Sequence, residues 1–143
     1  MEHIARKLRS HLYEKSSPHR DDDLARGFLR HELIVVDRKI AYLEASLAEY
    51  APDDPHRAGD QALLEVQQKH RVFVKALVAQ SDDFYQVLDA CHQRLIQLGK
   101  EHTRITACGG AHHSCHADQW WQTLNDIEYC SYLTRKLVSC GVQ

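Results

Sequence analysis

The chain has 143 residues, the size of one domain and enough to bury a core of its own. Apolar residues make up 43% and charged residues 27%, which excludes a disordered chain, and no apolar run is long enough to span a membrane. Eighteen basic and 20 acidic residues leave a net charge of -2, which excludes a uniformly basic nucleic-acid-binding surface.

Charge is unevenly spread. Residues 1–20 carry five basic and two acidic groups, and residues 21–60 carry five basic and ten acidic ones. The five cysteines are an odd number, and the first residues lack the apolar stretch of a secretory signal. Reduced thiols and a cytoplasmic location are therefore expected. Eleven histidines are the compositional outlier, and histidine is the commonest metal-ligating side chain.

In chain order, residues 2–15 fit a short helix with Ile4, Leu8 and Leu12 on one face, stopped at Ser16-Ser17-Pro18. Asp21, Asp22 and Asp23 suit the start of a second helix, where negative charge meets the positive end of the helix dipole. That helix is expected over about Asp22 to Tyr50. Leu29, Leu33, Val36, Ile40, Leu43, Leu47 and Tyr50 form its heptad seam. Ala51-Pro52-Asp53-Asp54-Pro55 is a turn.

A third helical stretch begins between His56 and Asp60. Its seam is Leu63, Val66, His70, Phe73, Leu77, Phe84, Val87 and Cys91, continued by Leu95, Leu98 and Ile105. Ser81-Asp82-Asp83 either caps a new helix or lies on the surface of one long one. Gly109-Gly110 ends this element, and a loop runs from Ala107 to His116. The last helix, about Ala117 to Ser139, has Trp120, Leu124, Ile127, Cys130, Leu133 and Leu137 on one face. Strand alternation and hairpin dipeptides are absent. The expected fold is all-α, a single domain over residues 1–143. It is a bundle of four or five helices around a long antiparallel helical hairpin.

The densest chemical cluster is Cys108, His112, His113, Cys115 and His116, five thiol or imidazole groups in nine residues. Zinc takes four such ligands in a tetrahedron. Cys108, His112, Cys115 and His116 are the candidate metal ligands, with Cys91 or His92 as donors from the preceding helix. Enzymatic signatures are missing: G-x-G-x-x-G, a P-loop, G-x-S-x-G and a complete H-E-x-x-H, since Val35 stands where the second histidine of His31-Glu32 belongs. The basic groups of the first helix, Arg6, Lys7, Arg9 and Lys15, and a later face with Arg94, Lys100 and Arg104, are the candidates for phosphate contact. The final tetrapeptide, Cys140-Gly141-Val142-Gln143, formally fits a prenylation box, although Gly141 is atypical.

Adjacent helical residues point about 100° apart, so Trp120 and Trp121 cannot share one face. Trp120 is expected inside and Trp121 outside. With Tyr85 and Tyr129 it is a candidate anchor on a partner protein, where exposed aromatics are enriched. The expected function is a non-enzymatic protein-interaction module, such as an adaptor, regulator or inhibitor docking through helix faces. The alternatives are a zinc-binding regulator using the 108–116 loop and a dimeric nucleic-acid-binding protein. A seam that pairs two copies, with His70 and Gln80 setting register, is a further reading.

Overall fold

A computed structural model describes residues 20–109 and 117–142. The helix expected over residues 2–15, and with it a fifth helix, lies outside these residues. Four helices, with no strand among the described residues, form an all-α bundle: α1 (Arg20–Glu49), α2 (Arg57–Ala79), α3 (Phe84–Ala107) and α4 (Ala117–Val142). α1 packs along α2, and α3 along α4, so the chain folds as two helical hairpins. α4 lies against both arms of the first hairpin. It runs antiparallel to α1, as the Phe28–Tyr132 and Glu32–Tyr129 contacts show, and parallel to α2, as Lys69–Gln122 and His70–Asp126 show.

The expected long arm after Pro55 is two helices. α2 stops at Ala79, and Asp83 in an extended conformation caps α3 by accepting from the Tyr85 and Gln86 amides. A second carboxylate, Asp22 of α1, accepts from the Phe84 amide at 2.9 Å. The break thus gives α3 two caps and lets the chain reverse. Gln80, expected on a seam, is exposed at the end of α2 and donates to the Ala76 carbonyl.

The bundle has two unlike ends. Where α1 and α3 begin and α2 and α4 finish, one continuous core joins all four helices. Ala25, Leu29, Val74, Leu77, Phe84, Val87, Cys91, Leu133 and Leu137 are all nearly inaccessible there. Gly141 permits the close approach: a Cβ on it would stand 3.0 Å from the Phe84 ring. Toward the other end burial becomes local to each hairpin, with Leu43, Leu64 and Val66 in the first and Ile105 in the second. On α2 the buried residues are Leu64, Val66, His70, Val74 and Leu77, so Leu63 turns outward and Phe73 is only half-buried. The expected seam differs here because α2 faces two neighbours, α1 and α4, instead of one partner. No helix of the described residues is long and apolar enough to cross a membrane.

Candidate functional site

The less closed end carries three large apolar side chains in the open: Tyr42 at 72% exposure, Leu63 at 52% and Trp121 at 54%. Each comes from a different helix. α1 supplies Tyr42, α2 supplies Leu63 and α4 supplies Trp121. Between α2 and α4 runs a groove of about 610 Å³, lined from α2 by the small residues Ala58, Gly59 and Ala62 and the buried Val66, and from α4 by Trp121, Gln122 and Asn125. A second groove, of about 360 Å³ between α1 and α2, is lined by Arg38, Lys39, Tyr42, Leu43, Leu63 and Gln67. Leu63 belongs to both, so the two grooves flank one ridge.

The tryptophan pair explains why Trp121 stays outside. Trp120 turns toward α3, where its indole N–H donates to Thr106 Oγ1 at 2.9 Å and its ring lies 4.9 Å from His102. Trp121 stands on it edge-on, with centroids 4.8 Å apart and planes at 89°. The inner ring therefore supports the outer one. The expectation that Trp121 points outward agrees with this geometry, whereas Trp120, expected inside, is only half-buried against α3 and lies outside the main core. The sequence reading missed Leu63 and Tyr42 because both sit on or beside heptad positions.

Tyr85 and Tyr129, the other two expected anchors, are elsewhere. Both are half-buried against the core that joins the four helices. Tyr85 lies beside Phe84 at the start of α3. Tyr129 belongs to a polar seam between α1, α2 and α4. Its hydroxyl donates to Glu32 Oε1 at 2.7 Å, and Tyr132 donates to Glu32 Oε2 at 3.3 Å. The Tyr129 ring stacks on His70, with centroids 3.9 Å apart and planes at 11°. His70 in turn lies 3.4 Å from Asp126, both of them buried. Burial and the hydrogen bond to Glu32 push the Tyr129 hydroxyl well above the ordinary tyrosine value, and burial does the same to Tyr132. These hydroxyls remain protonated donors at neutral pH. The seam pairs the two hydroxyls with the buried Glu32 carboxylate, whereas both ring nitrogens of His70 and Oδ1 of Asp126 are buried without a hydrogen-bond partner among the described residues.

Of the proposed metal ligands, Cys108 is exposed at the end of α3. His112, Cys115 and His116, with His113, lie outside the described residues. Cys91 and His92 are too distant to complete the set, since 17 and 16 helical residues place them about 25 Å along the axis from Cys108. Cys91 is also inaccessible, and the neighbouring Cys130 thiol and burial raise its pKa. Among the described residues no group of three or more His, Cys, Asp and Glu side chains is placed to hold a metal ion.

The basic candidates are divided. Arg6, Lys7, Arg9 and Lys15 lie outside the described residues. Arg94 sits over the Phe73 ring at 5.8 Å, and Arg104 pairs with Glu101 at 2.6 Å, so the later basic face is reduced to Lys100. Cys140 is buried within α4, which runs on through Gly141 to Val142. Its thiol is not presented for prenylation while this helix is intact. Comparison of the chain with models of protein families, with curated proteins and with solved structures finds no match.

Proposed function

We propose that this chain is a non-enzymatic docking module that receives an amphipathic helix of a partner protein in the groove between α2 and α4, with Trp121 as the main anchor. The observation that carries the reading is the exposed Trp121 on one side of a groove lined on the other by Ala58, Gly59 and Ala62. Small residues let an incoming backbone approach closely, and a neighbouring indole offers a large rigid contact. Helix-in-groove recognition uses apolar anchors at i, i+3 or i+4 and i+7 on the incoming segment. The grooved end lies away from the continuous core, so occupying it does not require that core to open.

The test is a display library of helical peptides selected against the full chain, with the Trp121→Ala variant as the counter-selection. Selected sequences are expected to share apolar positions at helical spacing. They are expected to bind at least about tenfold more weakly to Trp121→Ala, as loss of a hot-spot residue does. Peptides that bind both proteins equally would remove the groove from the function.

A further inference from the structure

We infer that the occupant of this groove is a second copy of the same chain, docked about a two-fold axis that passes close to Leu63. The inference rests on the docking reading above and names its partner. Three observations point to it.

The first is that the chain itself carries a helix of the kind the groove fits. On α1, Ile34, Arg38 and Tyr42 recur every four residues and so share one face of the helix. Ile34 is 49% exposed and Tyr42 72%, on the outer side of a helix whose inner side buries Leu29, Val36 and Leu43. This is an outward ridge with no cover among the described residues.

The second is charge. The ridge and its groove are rimmed by Arg38 and Lys39, and the α2/α4 groove is rimmed by Glu65 and Asp118. Asp37 accepts from Arg71 at 2.6 Å and is matched, whereas the Lys69 ammonium donates only to the neutral Gln122 amide at 3.0 Å and keeps its charge beside the α2/α4 groove. Among the described residues Arg38, Lys39, Glu65 and Asp118 have no ion-pair partner within the chain. One molecule thus presents a basic edge, Arg38 and Lys39, and an edge where the carboxylates of Glu65 and Asp118 stand against Lys69.

The third is where the two edges lie. They flank the same residue, Leu63, which belongs to both grooves. A two-fold axis through Leu63 and along the ridge between the grooves places the basic α1 ridge of each protomer on the acidic α2/α4 groove of its partner, both at once. This is the self-complementary arrangement that an isologous dimer requires. Trp121 of each copy then meets the partner's α1 ridge, and the opposed charges fix orientation and speed association.

Sedimentation equilibrium of the full chain across the micromolar range tests this. A reversible monomer–dimer equilibrium is expected, weakened at least about tenfold by Trp121→Ala. Two charge-reversal variants sharpen it: Arg38→Glu with Lys39→Glu, and Glu65→Lys with Asp118→Lys. Each alone is expected to be monomeric, because like charges then face each other. Their equimolar mixture is expected to dimerise, because both contacts become opposite in sign again, and that recovery also shows that both variants are folded. Wild-type chain that stays monomeric, dimers indifferent to charge reversal, a mixture that stays monomeric, or open-ended growth beyond the dimer would each overturn the inference. A monomeric wild type that still binds the selected peptides through Trp121 would leave the docking reading intact and refute only the second copy as occupant. Loss of both would refute both.

Discussion

At the closed end of the bundle Leu29, Val87, Leu133 and Leu137 are inaccessible, while at the other end Tyr42, Leu63 and Trp121 stand half or more in the open. Both ends are built from helices with the same steps of three and four residues. The difference lies in how many helices meet. Where four converge, the inward apolar side chains find neighbours on several sides, while Leu24 stays outside. Where the hairpins part, the same spacing leaves one side uncovered. An apolar residue at a seam position therefore reports a face that seeks a partner, and the partner is either inside the chain or outside it.

Substitutions at the two ends should separate these cases. Leu133→Ala empties a fully buried site, and urea unfolding should show a loss of about 2–5 kcal/mol. If the loss were below about 1 kcal/mol, the closed end would not be the stabilising core. Glu32→Ala, between the ends, leaves the Tyr129 and Tyr132 hydroxyls without their acceptor and should cost about 1–3 kcal/mol in the same assay. Asp83→Ala removes the side-chain cap of α3 and should cost about 1 kcal/mol, less if Asp22 alone holds the turn. Trp121→Ala, measured at a protein concentration where the chain is monomeric, should cost no more than its edge-on contact with Trp120 is worth, about 0.5–1.5 kcal/mol.

The polar seam adds a dependence on pH. The folded state holds the Tyr129 and Tyr132 hydroxyls protonated above the pH at which an unfolded tyrosine, with its ordinary value of 10.0, releases its proton. Their contribution is therefore fully present below pH 10 and is lost as the pH rises beyond it. Unfolding free energies measured from neutral to strongly alkaline pH should fall above that point, and Tyr129→Phe should flatten the fall. An unchanged slope in the variant would remove Tyr129 from the explanation.

Much of the architecture was legible in the sequence. The apolar steps on α1 place Leu29, Val36 and Leu43 in the interior, and the Pro52–Pro55 turn ends the helix as expected. Cys130, Leu133 and Leu137 on α4 are buried as their spacing requires. The sequence left two questions open or misplaced. At Ser81–Asp83 the local capping pattern is one of two readings and Asp83 does cap α3, whereas the added contact from Asp22, 62 residues away, to the Phe84 amide is encoded by no local pattern. The seam of α2 was drawn with a heptad period, yet its inner face follows two neighbours, so Leu64 and Val74 replace Leu63 and Phe73. The same slip explains the docking site. Trp121 was visible as a residue off the stripe, whereas Leu63 and Tyr42 became visible only once the helices were placed.

The central claim is that the grooved end binds and the closed end folds. The most direct measurement pairs urea unfolding of Trp121→Ala with binding of a helical peptide selected on the wild-type chain. At a protein concentration where the chain is monomeric, the account expects a loss no larger than the Trp120–Trp121 contact, about 0.5–1.5 kcal/mol, and peptide binding weakened at least about tenfold. A clear drop in stability with binding retained would make Trp121 a core residue and would contradict the account.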